Sequence, residues 1–482
     1  MVSMKFMLKA FKSSVLDFIL LFSSGIWVVL NVYFLPFHIW DAGVMRPWYM
    51  LHGYLPYRDF TWIRMPFDLF LLSWWYRVVG VFPLSYQSFY IVLMLLIILT
   101  LFIVGRYLLG RNSRIPFLFF IIFLFPLFQN TEVGELLIGL FSIVLLGVFA
   151  LFIRTKKIVF LLLLGCIAGL SFITKQNSVL VIAVVYGFLL YKGIITKEKI
   201  KTVTIWLVAF SSGLLVPILL LIGYFYVQSG LSDFLYYTVY FLVTKYTSAP
   251  VTKGDGGWIL ISYMLALIPL VYILKKMKKD KEIVIFLIFQ TLCLFSSLLP
   301  SFLSYRAFTA FPLMSLVFGY IWIEKSKNKA IFIFILIGFI ALNVRYISPY
   351  LASIQDTGFR PGQYLTSYGE SEREIGEWIR ANTKSDEKII NYGSEMIYLF
   401  ADRLPKNKYV EPFPYLLQPF EKSTKVFTDN PPRVVIYDKS LPNDHMGLSD
   451  WPFLRYLQEN YNIVNTYSDN LVIYQLSPDT LH

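Results

Sequence analysis

The sequence predicts a polytopic α-helical membrane protein that ends in a small α/β domain. Hydrophobic residues make up 57% of the 482 residues and charged residues only 15%. Apolar runs long enough to cross a bilayer, about 17–25 residues each, recur as far as residue 347. Beyond about residue 360 the composition becomes polar and mixed. We therefore expect a membrane domain over residues 1–350 and a separate domain over residues 351–482.

Eleven apolar runs are candidate transmembrane helices. They cover residues 15–35, 85–107, 115–130, 133–153, 158–175, 178–191, 202–227, 258–274, 283–300, 307–323 and 330–347.

Basic residues predict how the chain is oriented. Residues 1–347 hold 30 Lys and Arg against 12 Asp and Glu, whereas residues 348–482 hold 13 against 18. Because the basic residues gather in alternate loops, such as residues 275–281, the positive-inside rule places those loops in the cytoplasm. The N-terminus is then cytoplasmic and the C-terminal domain extracytoplasmic, in the cell membrane. The positive surplus reports orientation and does not indicate a nucleic-acid partner.

One apolar stretch, residues 67–81, does not fit as a span. It is short, contains Arg77, and would reverse the orientation of every later loop if it crossed the bilayer. Its Trp74, Trp75 and Tyr76 suit the headgroup region. We therefore expect an interfacial helix within a first outer loop of residues 36–84.

Residues 351–482 carry patterns of both helix and strand. The spacing of Ile375, Trp378 and Ile379 predicts an amphipathic helix over residues 371–381. Runs rich in β-branched and aromatic residues predict strands at 389–392, 433–437 and 471–474.

Charged residues collect at the predicted outer ends of the spans. They are Asp41, Arg46, Arg58, Asp59, Arg64, Glu132, Glu135, Lys175, Lys245 and Arg306. Charge near a bilayer is costly, so such a set predicts a functional site. Arginine and lysine can hold a phosphate, and a carboxylate can accept the proton of an attacking hydroxyl.

These motifs resemble, in order and placement, those of the family 39 glycosyltransferases, the protein O-mannosyltransferase and aminoarabinose-transferase type with the GT-C fold. The matching segments are Asp41 after the first span, Pro56-Tyr57-Arg58-Asp59-Phe60, Glu135-Leu136-Leu137, Gly169-Leu170-Ser171-Phe172-Ile173-Thr174-Lys175 and Tyr305-Arg306-Ala307-Phe308. The chain departs from the family in Asp41-Ala42, where Asp-Glu is usual. It also departs in Arg64-Met65-Pro66, where His-Pro-Pro or Lys-Pro-Pro is common, and in having Glu as the second acid.

The resemblance implies an inverting glycosyltransferase that takes its sugar from a polyprenyl-phosphate donor in the membrane lipid. It implies that Asp41 is the catalytic base, with Glu135 as the second catalytic acid. Residues expected to bind substrate are Arg58, Asp59, Arg64, Glu132, Lys175 and Arg306. A divalent metal ion, if used, would be held by Asp41 and Glu135. The sugar, and whether the acceptor is a glycan, a lipid or a protein, stay open.

Each of these residues also has a purely structural interpretation. Asp41 could pair with Arg46 or Arg58, and Arg58 with Asp59 could simply shape the loop. Glu132 and Glu135 could stabilise a helix N-terminus, and Lys175 could extend towards the headgroups from a helix end.

Two other classes of function stay open at this stage. A lipid or glycan transporter would need polar groups at mid-membrane and often shows inverted repeats. A non-catalytic scaffold would not need the acids and arginines of the first outer loop. A zinc site at His38 and His52 is not expected from their spacing, and Cys166 and Cys293, both inside apolar runs, do not predict a disulfide.

Overall fold

The structure, a computed structural model, describes ten segments of the chain and a few isolated residues. The segments are residues 15–34, 41–81, 83–121, 131–244, 280–298, 304–324, 370–411, 420–439, 451–467 and 470–478.

Among the described residues, six helical stretches are long and apolar enough to cross a membrane. They are Val15–Tyr33, Leu84–Phe119, Val133–Thr155, Gln176–Ile195, Ile200–Val227 and Lys281–Leu298. Two shorter apolar helices accompany them, Val159–Thr174 and Phe311–Trp322. The helical membrane character predicted from the sequence is confirmed. Residues 122–130, most of 258–274 and nearly all of 330–347, which carry further predicted spans, lie outside the described residues.

The longest stretch, Leu84–Phe119, is two helices joined by a reversal. A 3-10 turn at Gly110–Ser113 separates helix Pro83–Leu109 from helix Arg114–Phe119. A β-carbon added at Gly105 would lie 3.4 Å from Cβ of Ser113. Eight residues of straight helix would place these positions about 12 Å apart. The chain therefore turns back at Gly110–Ser113, as the separate runs 85–107 and 115–130 predict.

A close glycine contact joins helices Ile158–Thr174 and Ile200–Val227. A β-carbon added at Gly165 would lie 2.1 Å from the carbonyl oxygen of Phe210, and one at Gly213 would lie 2.0 Å from that of Leu162. Gly169, four residues after Gly165, faces Pro217 in the same way. Small residues at this spacing allow membrane helices to approach closely. The contact fixes the helix whose last turn leads into Lys175.

The chain forms two compact units. The membrane unit comprises Met1–His38, Gln87–Gly223 and Val251–Gln363. The loop unit comprises Ile39–Tyr86, Tyr224–Pro250 and Tyr364–His482. The predicted first outer loop therefore groups with the C-terminal residues.

The loop unit combines short helices with one sheet. Its helices are Asp41–Leu51, Phe67–Val79, Leu231–Leu235, Phe241–Thr244, Glu370–Asn382, Met396–Ala401, Phe420–Thr428 and Pro452–Asn460. The strands are β1 (Ile390–Tyr392), β2 (Val434–Asp438), β3 (Tyr461–Tyr467) and β4 (Leu471–Leu476), in the order β1-β2-β4-β3. β1 and β2 are parallel, whereas β4 is antiparallel to both β2 and β3.

An aromatic core supports this sheet. Tyr392, Phe427, Trp451 and Phe453 are buried together, and the ring centroids of Phe427 and Phe453 lie 4.6 Å apart. The core fixes β1, so the residues that directly follow this strand have defined positions.

Candidate functional site

Asp41 begins an 11-residue helix, Asp41–Leu51, rather than lying in an irregular loop. A carboxylate in the first turn is stabilised by the positive end of the helix dipole. The side chain is half-buried, and Oγ of Ser394 donates a hydrogen bond of 2.7 Å to its Oδ2. Ser394 follows β1 by two residues, so the C-terminal end of that strand orients the Asp41 carboxylate.

The turn after β1 is itself held by side-chain hydrogen bonds. Nδ2 of Asn391 donates to the Ser394 carbonyl at 2.7 Å, and the Gly393 amide donates to Oδ1 of Asn391 at 2.9 Å. This arrangement presents two consecutive polar side chains, Ser394 and Glu395, to helix Asp41–Leu51. The C-terminal edge of parallel strands commonly carries functional residues.

Arg46 is fully buried and holds two glutamates. Its Nη2 lies 2.7 Å from Oε1 of Glu395 and 2.8 Å from Oε1 of Glu411, and its Nη1 donates to the Thr61 carbonyl at 2.5 Å. Oη of Tyr49 donates to Oε2 of Glu395 at 3.1 Å. Arg46 is therefore paired with Glu395 and Glu411.

The surroundings of Glu395 favour its protonated form more than water does. Burial raises the pKa of Glu395 to about 7; Arg46 opposes this rise, whereas the nearby carboxylates of Glu411 and Asp41 add to it. A carboxyl group whose pKa lies near neutrality can both give and take a proton. Glu395 is thus a titratable neighbour of Asp41 that the sequence did not reveal.

Arg58 and Asp59 shape the loop. Asp59 Oδ2 accepts a 2.8 Å hydrogen bond from the Leu55 amide and one of 2.7 Å from Nη2 of Arg58. Nη1 of Arg58 also donates to the Gln228 carbonyl at 3.0 Å. Tyr57, between them and Leu55, has a φ of 71°, in the left-handed region that non-glycine residues seldom adopt. These contacts have the structural role that the sequence left as an alternative.

Arg64 lies half-buried just before helix Phe67–Val79. Its guanidinium carbon is 5.8 Å from the ring centroid of Trp62, and its carbonyl accepts a 2.5 Å hydrogen bond from Oη of Tyr57. The helix begins and ends within two residues of the predicted range 67–81, and Trp74 on it is exposed.

In the membrane unit, Glu135 and Lys175 form an ion pair. Glu135 is fully buried in the first turn of helix Val133–Thr155, and Lys175 directly follows helix Ile158–Thr174. Glu132 is the N-cap residue of the first helix, and its carbonyl accepts hydrogen bonds from the amides of Glu135 and Leu136 at 3.1 and 3.2 Å. The structure therefore brings together an acid and a base that lie 40 residues apart in the sequence.

Arg306 belongs to the same unit and lies in the 3-10 helix Ser304–Thr309. Its carbonyl accepts hydrogen bonds from Oγ of Ser297 at 2.8 Å and Oγ1 of Thr309 at 3.1 Å. A β-carbon added at Gly139 would lie 3.4 Å from the ring of Phe308, so this 3-10 helix packs on helix Val133–Thr155 one turn after Glu135. Lys245 and His38 lie outside the described residues.

Within the part of the chain that the structure describes, no three His, Cys, Asp or Glu side chains are grouped to hold a metal ion. Glu395 and Glu411 already share the Arg46 guanidinium, which supplies the positive charge between them. We therefore derive no chemical step through a metal.

No protein-family model matches the chain, and no curated protein matches it in sequence. Solved structures match it in fold. ArnT from Cupriavidus metallidurans, in the crystal structure bound to undecaprenyl phosphate, aligns with a TM-score of 0.59 and 11% identity over 95% of this chain and 97% of ArnT. The oligosaccharyltransferase AglB from Archaeoglobus fulgidus, in complex with an inhibitory peptide and a dolichol-phosphate, aligns with a TM-score of 0.52 and 12% identity. That alignment covers 96% of this chain and 74% of AglB. Both are GT-C glycosyltransferases, so the chain has the GT-C fold that its sequence motifs predict, with a small C-terminal sheet.

Proposed function

We propose that the protein is an integral membrane glycosyltransferase that moves a sugar from a polyprenyl-phosphate donor to an acceptor hydroxyl outside the cytoplasm. Support comes from the likeness of nearly the whole chain to two structures whose described ligands are undecaprenyl phosphate and dolichol-phosphate. Those two proteins share the fold, and the lipid in each structure is a polyprenyl phosphate. We propose that this chain binds the same class of lipid.

The proposed base is Asp41, and the observation that carries this proposal is its setting. Its carboxylate lies at a helix N-terminus, is half-buried, and is oriented by the 2.7 Å hydrogen bond from Ser394. A base must be fixed within hydrogen-bonding reach of the proton it takes. The rigid turn after β1 meets this need better than an irregular loop would.

In the proposed reaction the acceptor hydroxyl oxygen attacks the anomeric carbon of the donor sugar from the face opposite the lipid phosphate. The new carbon–oxygen bond forms as the bond to the phosphate oxygen breaks, so the configuration inverts. The hydroxyl proton passes to Asp41, and the lipid phosphate leaves with the electron pair.

Arg306 and Lys175 of the membrane unit are proposed to bind the leaving phosphate, since fixed positive charge stabilises the negative charge that develops there. Arg58 and Arg64 of the loop unit are proposed to bind substrate. Lys175 is held by Glu135, which gives Glu135 a positioning role in addition to the catalytic role that the resemblance implies. Asp59 would act on substrate indirectly, by holding Arg58. Glu132 would act indirectly as well, because it caps the helix whose first turn carries Glu135.

The proposal is tested by measuring the lipid-linked sugars of cells that lack the protein. We expect a polyprenyl-phosphate sugar to accumulate, and wild-type protein to clear it. The Asp41→Asn variant should clear it at least about a hundredfold more slowly, a usual contribution of a general base. Asp386→Asn, an exposed acid of the same unit, is the matched control and should behave as wild type. A scaffold would tolerate Asp41→Asn; clearance at the wild-type rate would remove Asp41 from the mechanism.

A further inference from the structure

A cleft of about 520 Å³ lies within the loop unit. Its lining includes Arg58, Lys388, Lys406 and Lys408 together with the aromatic side chains of Tyr54 and Tyr409. Neither Asp41 nor Glu395 is among the residues that line it. A cavity of this size is in the range of small-molecule sites, and none of the chemistry proposed above uses its lysines.

The walls of the cleft are fixed by main-chain hydrogen bonds. The Thr61 amide donates to the Lys408 carbonyl at 2.8 Å, and the Lys406 amide donates to the Ile389 carbonyl at 2.9 Å. Oη of Tyr54 donates to the Pro405 carbonyl at 2.9 Å. The cleft is therefore preformed, which lowers the entropy cost of binding a ligand.

The cleft carries an excess of positive charge. Among the described residues, Asp59 is the one acid that lines the cleft, and both of its carboxylate oxygens already accept hydrogen bonds from Arg58. Lys408 lies 3.6 Å from Asp233. Within the described residues, Lys388 and Lys406 form no ion pair: Nζ of Lys406 donates to the Pro431 carbonyl at 3.1 Å, and Nζ of Lys388 lies 5.0 Å from the ring centroid of Tyr54.

The two lysines also repel each other. Burial lowers the pKa of Lys406; the charge of Glu387 opposes this shift, and the charge of Lys388 adds a smaller lowering. A bound anion would remove this repulsion, since each ammonium would then face an opposite charge. The aromatic rings on the same walls offer apolar surface for the carbon skeleton of a sugar or polyol.

We propose that this cleft binds the phosphate group of a phosphorylated sugar or polyol, and that it holds the acceptor at a point away from the reacting hydroxyl. The role as an acceptor site rests on the glycosyltransferase function proposed above, whereas the binding of a phosphorylated polyol does not. The same chemistry can be presented by an acidic glycan or by the phosphoglycerol headgroup of a lipid.

The test is a calorimetric titration of the full-length protein, in nanodiscs of neutral phosphatidylcholine, with glucose 6-phosphate and with glucose. We expect the phosphate to bind and glucose to bind far more weakly. Lys388→Gln with Lys406→Gln should weaken glucose 6-phosphate at least about tenfold, a contribution consistent with charge-assisted contacts that are partly exposed. The double change of both positions to Arg should keep binding, since the charges remain.

The matched control is Lys422→Gln with Lys425→Gln, which removes two exposed lysines of the same unit outside the cleft lining. It should bind as wild type. Equal binding by the Lys388/Lys406 glutamine variant, equal affinity for glucose, or no binding by wild type would overturn the proposal. Because the titration needs no sugar donor, such a failure would leave the transferase proposal standing.

Nanodiscs that contain phosphatidylglycerol separate the two sources of the phosphate. If the lipid headgroup occupies the cleft, these discs should weaken glucose 6-phosphate binding to wild type. The Lys422/Lys425 control should still bind glucose 6-phosphate more tightly than the Lys388/Lys406 glutamine variant. If the natural source is a glycan, affinity should be the same in both kinds of disc. Weaker binding in the phosphatidylglycerol discs would assign the phosphate to a lipid headgroup, and equal binding in both kinds of disc would assign it to a glycan.

Discussion

Replacing Arg46 by methionine tests whether the buried ion pairs hold the segment after the first membrane helix to the C-terminal residues. Methionine keeps an unbranched side chain but removes the charge and the donors. Arg46 is fully buried and lies 2.7 Å from Glu395 and 2.8 Å from Glu411. Removing one partner of a buried pair costs about 3–5 kcal/mol, because the other charge stays buried without compensation. Glu411 is partly exposed, so most of the cost falls on Glu395.

The loss of unfolding free energy caused by Arg46→Met depends on the pKa of Glu395 and therefore on pH. It is raised to about 7 even with Arg46 present, and without Arg46 it would rise further. At a pH below about 7, Glu395 is protonated whether or not Arg46 is present. Arg46→Met then costs only the lost hydrogen bonds, about 1–2 kcal/mol of unfolding free energy. We therefore expect a loss of about 3 kcal/mol near pH 8 and a smaller loss near pH 6.

Thermal unfolding of the purified protein in neutral nanodiscs, followed by tryptophan fluorescence, would measure this effect. Arg46→Met should unfold well below wild type. The double variant Arg46→Met with Glu395→Gln should recover part of the loss, since no charge then stays buried, with a coupling of up to about 3 kcal/mol. Arg58→Met is the control: Arg58 is exposed and its partner Asp59 only half-buried, and ion pairs at the surface are worth about 0–1 kcal/mol. Additive losses in the double variant would refute the ion-pair geometry described here.

Three further predictions follow from the charges. The folded pKa of Glu395 lies above its unfolded value of 4.5, so its contribution to stability is present below about pH 4.5 and is lost as pH rises through 7. As the pH rises between these values, wild type should lose stability relative to Glu395→Gln by at most about 1.4 kcal/mol per pH unit. A difference in unfolding temperature that stays constant with pH would contradict this. Arg306→Gln should weaken polyprenyl-phosphate binding about tenfold in nanodisc titrations, whereas Arg111→Gln, which changes an exposed arginine, should bind as wild type. Equal affinities of Arg306→Gln and wild type would mean that another cation binds the phosphate. In a variant that lacks both native cysteines, an impermeant maleimide applied to intact cells should label Lys384→Cys and spare Lys199→Cys; the reverse pattern would reject the proposed orientation.

The membrane helices were predictable because each is a long apolar run, and the described helices fall where those runs lie. In the C-terminal region the strands with buried residues, β1, β2 and β4, were predicted, since their apolar runs are continuous. β3 was not predicted: its Ile463 and Val464 are exposed and polar residues interrupt the run. β1 also lies at an edge of the sheet, but its residues are buried, so the difference lies in side-chain exposure and not in edge position.

The candidate site could be predicted only where its residues are close in the sequence. Asp41 was found because a carboxylate beside a membrane span is costly without a function. Ser394 and Glu395 lie more than 340 residues away, in a segment whose acids are numerous and mostly exposed, so nothing local distinguished them. The Ser-Glu pair that follows a predicted strand after a single glycine was the one available signal.

The hydrogen bond between Asp41 and Ser394 spans 353 residues of chain, which has a consequence for biosynthesis. At a translation rate of about 5–20 residues per second, Asp41 emerges from the ribosome roughly 20–70 s before its partner is made. Over that interval the first membrane helices can insert, but the setting of the proposed base cannot form. A nascent chain that stalls before the last quarter would thus occupy the membrane without being able to carry out the proposed reaction.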